Sequence, residues 1–123
     1  MKFVSKIIKG LGKGKQLGFP TINMEVPVDF ALEDGVYASF VLLNGEKYQG
    51  ALFFGKRYLF DKLTNSLEVY LLNFDGEVNT DIIEVEIVQK IRESQKYKDE
   101  NDLKKAIADD VQKCKQILDV QSA

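Results

Sequence analysis

The 123-residue chain contains no histidine and no tryptophan, only two prolines and a single cysteine. Without histidine there can be no histidine-based catalytic triad, no histidine-ligated metal and no acid–base catalysis by imidazole. The lone Cys114 excludes an intrachain disulfide and a cysteine-based zinc site. A catalytic base must therefore be a carboxylate, a lysine or a tyrosine, and a metal must be held by oxygen, which favours Mg²⁺, Mn²⁺ or Ca²⁺.

Long hydrophobic runs are also missing. No run of about 18 apolar residues occurs, so the sequence predicts no membrane-spanning helix, and the N-terminus lacks the apolar core of a signal peptide. We therefore expect a cytoplasmic protein without a membrane partner. The length favours one domain spanning residues 1–123.

Positive charge is concentrated near the N-terminus, although the net charge of the chain is −2. The first 20 residues contain no acid, and their basic residues are Lys2, Lys6, Lys9, Lys13 and Lys15. Such a local patch can attract phosphate without making the whole surface basic. A small barrel could bind nucleic acid through this arm, but its aromatic residues are not interleaved with the lysines. We therefore expect no nucleic-acid partner.

Most of the chain before residue 92 has the pattern of β-strands. The predicted strands are residues 2–9, 36–43, 46–54, 67–73 and 81–91. In the fourth, Leu67, Val69 and Leu71 share one face. Asn44-Gly45 is a strong hairpin signal, and Gly50 is interpreted as a β-bulge. Strands without intervening helices favour antiparallel pairing and closure into a barrel.

The C-terminal segment changes to a helical period, with Asp99 as the expected N-cap. Its apolar positions are Leu103, Ile107, Val111, Cys114 and Leu118. We interpret this helix as a lid on the core, with Cys114 as a small buried residue. The sequence thus predicts a mainly β protein, a small Greek-key barrel with a C-terminal helix.

Residues 10–23, GLGKGKQLGFPTIN, combine four glycines with lysines and a short polar cluster. Glycine backbone N–H groups can cradle an anion and lysines add charge for phosphate, although a flexible, solvated surface loop has the same composition. The spacing matches neither a Walker A loop nor a dinucleotide fingerprint. If the chain is extended from Thr21, the Thr21 hydroxyl and the Asn23 carboxamide project to one side, where they could hold Mg²⁺ with phosphate oxygens.

This stretch resembles the signature of riboflavin kinases, the domains that phosphorylate riboflavin to FMN. Other landmarks of that family follow in order: residues 34–38 (DGVYA), residues 67–74 (LEVYLLNF), and residues 91–97 before a helix that contains Asp110. The resemblance covers almost the whole chain. It implies a six-stranded antiparallel barrel with a C-terminal α-helix, and a kinase that transfers phosphate from ATP to the ribityl 5′-hydroxyl of riboflavin with Mg²⁺ or Mn²⁺.

The resemblance also implies site residues. Along the ATP phosphates it places Gly10, Gly12 and Lys15; at the metal, Thr21 and Asn23; as the base for the hydroxyl, Glu68; and near the isoalloxazine ring, Arg92. Taken alone, the position of Glu68 favours a solvent-facing strand residue, and only the motif context favours the base. Arg92 could equally be a surface or ion-pair residue. The expected partners are riboflavin and ATP, and the expected state is a monomer, or one part of a bifunctional protein with an adenylyltransferase domain. A complete chain of this kind would make FMN but not FAD.

Three departures from the family pattern leave an alternative open. Residues 55–60 (GKRYLF) lack the usual Pro-Thr, Asn79-Thr80 stands where the family has Tyr-Gly, and Asn73 replaces an aspartate. These changes motivate a catalytically degenerate module of the same fold, one that binds flavin or nucleotide without chemistry.

Overall fold

A computed structural model describes residues 1–8, 21–56, 65–72, 74 and 78–122. Its elements in chain order are β1 (Lys2–Ile8), β2 (Thr21–Met24), β3 (Gly35–Leu43), β4 (Glu46–Gly55), β5 (Ser66–Leu72), β6 (Ile82–Arg92) and helix α1 (Glu100–Ser122). Each predicted strand is present, and the polar cluster after the glycine-rich stretch forms the short β2.

The strands close into a barrel in the order β1-β2-β5-β4-β3-β6, and every neighbouring pair is antiparallel. The pairs β2–β5 and β3–β6 are not consecutive in the chain, so crossovers as well as hairpins build the sheet. The prediction of a six-stranded antiparallel Greek-key barrel followed by one helix is confirmed.

The hairpin between β3 and β4 has a two-residue loop. Leu43 and Glu46 are paired, and the backbone φ angles of Asn44 and Gly45 are 52° and 82°. Positive φ at both central residues is the geometry of a type I′ turn, whose twist matches that of the flanking strands. The prediction of a hairpin turn at Asn44-Gly45 is therefore confirmed.

Strand alternation gives the barrel two apolar faces, one inside it and one outside it under α1. On β5, Leu67, Val69 and Leu71 point into the barrel, as their spacing predicts. Tyr70 and Leu72 point outward and pack beneath the helix. The helix residues that cover them are Leu103, Ile107, Cys114 and Leu118. Both faces of β5 are therefore buried.

Helix α1 begins with the predicted cap. The Asp102 backbone N–H donates to Asp99 Oδ1 at 2.9 Å, and the Leu103 N–H donates to the Asp99 carbonyl at 3.2 Å. The first bond satisfies an N–H group that the first helical turn leaves without an intrahelical acceptor, and the second is the first regular backbone bond of the helix. Among the described residues there is no helix that is long and apolar enough to span a membrane.

The interpretation of Gly50 as a β-bulge is wrong. Gly50 pairs in regular register with Ser39 on β3 and Leu71 on β5. A Cβ at this position would lie 2.6 Å from Val69 Cγ2 and 3.1 Å from Val41 Cγ2. Glycine is required because the barrel interior leaves no room for a side chain. The register irregularities that the structure shows lie between β3 and β6 instead.

We expect Gly50→Ala to lower the free energy of unfolding by about 1–3 kcal/mol, because the added methyl group overlaps Val69 Cγ2. Val69→Ala makes room for that methyl group, so the double variant should lose less than the sum of the two single losses. Urea unfolding of the four proteins measures this coupling. Strictly additive losses would contradict crowding at this point of the barrel.

Cys114 is fully buried, and burial raises the pKa of its thiol from 9.0 to about 12. The folded state then holds the thiol proton more tightly than the unfolded state, so this contribution to stability is present below pH 9 and is lost as the pH rises toward 12. Cys114→Ala should therefore reduce the loss of unfolding free energy over this pH range.

We also expect the wild-type Cys114 thiol to resist a disulfide reagent at pH 8 until urea unfolds the chain. Rapid labelling of the folded protein would contradict the burial of this thiol.

Candidate active site

Two polar side chains of β2 share the outer face of the barrel. Ile22 and Met24 belong to the interior core, so alternation turns Thr21 and Asn23 outward. The prediction that these two side chains project to one side is confirmed. Asn23 is only 6% exposed, whereas Thr21 is partly exposed.

Glu68 is the direct cross-strand partner of Asn23. The β2–β5 register pairs Asn23 with Glu68 and Thr21 with Tyr70. Cβ atoms of residues opposite each other in an antiparallel pair lie about 4.5–5.5 Å apart, so the carboxamide and the carboxylate start from adjacent positions. Glu68 is 8% exposed and lies on a strand that is paired on both sides. It is therefore a buried carboxylate in a rigid setting rather than a solvent-facing strand residue.

The same register line continues around the barrel. Glu68 pairs with Phe53 on β4, Phe53 with Val36 on β3, and Val36 with Arg92 on β6. We refer to Asn23, Glu68, Phe53, Val36 and Arg92 as the outer row. Three strand spacings separate Glu68 from Arg92, about 14 Å measured along the sheet. Phe53 and Val36, which lie between them, are both buried and apolar.

Arg92 forms a bidentate ion pair with Asp110 of helix α1. Its Nε donates to Asp110 Oδ1 and its Nη2 to Asp110 Oδ2, each at 2.7 Å. Nη2 also donates to the Tyr97 hydroxyl, and Nη1 donates to the Glu93 carbonyl at 3.0 Å. Burial disfavours the guanidinium charge, but the hydrogen bonds and opposite charge of Asp110 favour it, and the pKa of Arg92 is raised. The ion-pair interpretation of Arg92 is confirmed.

Asp110 and Tyr97 both hydrogen-bond Arg92, although the sequence predicted no site role for either residue. Asp110 is 4% exposed, and it lies on the buried helix stripe between Ile107 and Cys114. The sequence does contain a signal for Asp110, because an acidic residue stands where the helical period predicts an apolar one. Val111, which the helical spacing predicts on that stripe, is only partly buried.

Several predicted features lie outside the described residues: Gly10, Gly12, Lys15, Asn73 and residues 57–60. Of the departures from the family pattern, Asn79 lines a surface pocket with Tyr48 and Phe74. The Thr80 hydroxyl accepts a hydrogen bond from the Ile82 N–H at 3.2 Å, so Thr80 shapes the entry into β6.

Of the side chains of Thr21, Asn23 and Glu68, which share one face of the sheet and carry oxygen atoms that could bind a metal, two are neutral. In the part of the chain that the structure describes, no three acidic or cysteine side chains form a metal-binding cluster. Thr21 offers a hydroxyl oxygen and Asn23 a carboxamide oxygen on one face, beside the Glu68 carboxylate. This donor set fits Mg²⁺ or Mn²⁺ when phosphate and water supply the other ligands, because Mg²⁺ usually takes few protein ligands.

Comparison with known proteins identifies the family of this chain. The sequence profile of riboflavin kinase (flavokinase) matches residues 1–118. The chain belongs to the riboflavin kinase family. It is 35% identical over 115 residues to the bifunctional riboflavin kinase/FMN adenylyltransferase of Haemophilus influenzae, which covers 93% of this chain and 37% of that protein. It is 31% identical over 106 residues to the RNA-binding riboflavin kinase RibR of Bacillus subtilis, covering 85% of this chain and 46% of that protein.

The same barrel occurs in solved structures. A chain described as a macrolide-efflux protein from Streptococcus pneumoniae superimposes with a TM-score of 0.73 at 25% identity, over 89% of this riboflavin kinase-family chain and 36% of that chain. Across these comparisons the present chain spans less than half the length of the proteins it matches.

Proposed function

We propose that this chain catalyses the ATP-dependent phosphorylation of riboflavin at the ribityl 5′-hydroxyl, giving FMN and ADP. Membership of the riboflavin kinase family supports this proposal. The observation that carries it is the register that pairs Asn23 with Glu68 and puts Thr21 on the same face. A candidate base and two candidate metal ligands are thereby adjacent on two paired strands.

Glu68 is the proposed general base. The ribityl hydroxyl oxygen attacks the γ-phosphorus of ATP, the bond from that phosphorus to ADP breaks, and the hydroxyl proton passes to the Glu68 carboxylate. Phosphoryl transfer depends mostly on positioning, and β5 is held on both sides by β2 and β4. Burial of Glu68 limits competition from water for the carboxylate.

Thr21 and Asn23 are the proposed ligands of Mg²⁺ or Mn²⁺. When bound, the metal neutralises charge on the transferring phosphates. The Thr21 hydroxyl and the Asn23 carboxamide oxygen fix the nucleotide phosphates beside Glu68, since both side chains lie on the face that Glu68 occupies. By family resemblance, Gly10, Gly12 and Lys15 bind the remaining phosphate oxygens.

The flavin is proposed to extend along the outer row. The reacting hydroxyl lies at Glu68, and the far end of the apolar ring system lies near Arg92. The separation of about 14 Å between Glu68 and Arg92 suits an extended ligand with a polar chain at one end and fused rings at the other.

The wider setting follows from this chemistry. We propose a monomeric domain of residues 1–123 that acts in the cytoplasm on small-molecule substrates and binds no nucleic acid. Some relatives are bifunctional, and an adjoining adenylyltransferase would consume the FMN formed here. Salt-sensitive binding of single-stranded RNA would contradict the proposed absence of a nucleic-acid partner.

We expect Glu68→Gln to lower turnover by about 100-fold or more, because the amide cannot accept the hydroxyl proton. Nucleotide affinity should stay nearly unchanged. FMN formed from riboflavin, ATP and Mg²⁺ is quantified by chromatography, with Glu84→Gln, a carboxylate on β6 away from the outer row, as the matched control. Unchanged turnover in Glu68→Gln would exclude this base. Binding of flavin or ADP by the wild type with no FMN formed, while an active relative forms it, would favour the degenerate module.

Asn23→Ala and Thr21→Ala are each expected to weaken Mg²⁺-dependent ADP binding on the order of tenfold, the effect of one lost bond to a charged group. Calorimetric titration of ADP with and without Mg²⁺ separates the metal-dependent part of the affinity. Asn101→Ala, an exposed amide on α1, serves as the control. If the Mg²⁺-dependent gain in affinity is the same in all four proteins, these residues do not hold the metal.

A further inference from the structure

Asp110 is a buried carboxylate that the proposed phosphoryl transfer does not use. It lies on the core-facing stripe of α1, yet its carboxylate accepts two hydrogen bonds of 2.7 Å from Arg92. A bidentate Arg–carboxylate pair fixes the plane of the guanidinium as well as its position. The pair therefore determines where the one strong cation of the outer row can point.

Three parts of the chain hold this guanidinium. Arg92 is the last residue of β6, Glu93 and Tyr97 lie in the connection that follows, and Asp110 lies on α1. The Arg92 group is 5.8 Å from the Tyr97 ring centroid, so the ring adds a cation–π contact to the hydroxyl hydrogen bond. An arginine held in this way loses little further rotamer freedom when a ligand binds.

A purely structural tie between helix and barrel would account for the ion pair, but not for the donor that remains. A guanidinium has five N–H groups, and acceptors within the described residues take one on Nε, two on Nη2 and one on Nη1. No described residue accepts from the second N–H of Nη1, and the Arg92 side chain is 20% exposed. One oriented donor is thus left at the end of the outer row.

The ion pair with Asp110 also determines which kind of ligand acceptor the remaining Nη1 donor of Arg92 can bind well. Asp110 neutralises the positive charge at short range, so the pair is a poor site for a phosphate and a good one for a neutral carbonyl oxygen. The pyrimidine part of the isoalloxazine ring carries such carbonyl oxygens, whereas the nucleotide end of the reaction carries phosphates. The available Nη1 donor therefore matches the flavin and not ATP.

We propose that Asp110, assisted by Tyr97, is a positioning residue that holds Arg92 so that its available Nη1 N–H donates to a carbonyl oxygen of the flavin ring. This inference rests on the proposed riboflavin kinase function. It makes α1 a specificity-determining wall of the flavin site, in addition to a lid over the outer apolar face.

The test is a steady-state comparison of wild type and Asp110→Asn, in which one acceptor oxygen is replaced by a donor that opposes the guanidinium. We expect the KM for riboflavin to rise about tenfold, while the KM for ATP and kcat stay within about twofold, because only flavin binding is affected. The matched control is Asp119→Asn. Asp119 is another carboxylate of α1 that accepts a hydrogen bond from the barrel, from Gln49 Nε2 at 2.7 Å, but it lies near the other end of the helix. Its substitution should leave both KM values unchanged.

A double-mutant cycle with Arg92→Ala separates positioning from general loosening of the fold. If Asp110 acts through Arg92, Asp110→Asn should cause no further rise in the riboflavin KM once Arg92 is removed. Independent, multiplying effects would overturn the proposal, as would a riboflavin KM for Asp110→Asn within twofold of wild type, or an equal rise in both KM values.

If Asp110→Asn does not fold, Tyr97→Phe tests the same arrangement with less disturbance, since it removes only the hydroxyl acceptor of Nη2. We expect about a threefold rise in the riboflavin KM with the ATP KM unchanged, and no change in the riboflavin KM would overturn the proposal. Wild type provides the separate check on the parent function. If wild type forms no FMN, the kinase assignment fails; if wild type forms FMN and the variants retain the wild-type riboflavin KM, only the positioning role fails.

Discussion

The pairing of β2 with β5 is the constraint on which the candidate site depends. A register shift of one residue would turn Asn23 and Thr21 into the barrel and bring Ile22 and Met24 outside. The interior prevents such a shift, because Ile22 packs with Val69 and Met24 with Leu67 in the same buried cluster. The hydrophobic interior thus holds the polar outer row in place, although it contributes none of the reacting groups.

The protein has two apolar layers, one inside the barrel and one between the barrel and α1. The interior layer fixes the strand register, and the outer layer beneath α1 covers the rows next to the outer row. The apolar stripe of α1 packs on this outer layer. Asp110 is the exception on that stripe, since it reaches Arg92 instead of packing in the apolar layer.

Local features of the fold could be read from the sequence because each has a short-range cause. The Asn44-Gly45 turn, the Asp99 cap and the alternation of β5 all follow from neighbouring residues. The role of Gly50 could not, since its crowding comes from Val69 and Val41 on two other strands. A glycine in a strand looks the same in sequence whether it forms a bulge or fills a tight interior position.

In the candidate site, too, some features follow from neighbouring residues and others depend on long-range strand pairing. The outward direction of Thr21 and Asn23 follows from alternation, whereas their adjacency to Glu68 needs the β2–β5 pairing. Likewise, the outer row from Asn23 to Arg92 crosses five strands through the non-consecutive pairs β2–β5 and β3–β6. Family resemblance pointed to Asn23, Glu68 and Arg92 in this row, but only the fold relates them in space. The engagement of Arg92 by Asp110 arises from the same long-range packing.

A crystal structure with riboflavin, ADP and Mg²⁺ bound would test the role of Glu68 as the base through one distance. We expect the ribityl 5′-oxygen to lie within hydrogen-bond reach of a Glu68 carboxylate oxygen, about 2.6–3.2 Å, with the ring extending along the outer row toward Arg92. A flavin bound away from the outer row, with Glu68 in contact with neither ligand, would contradict it.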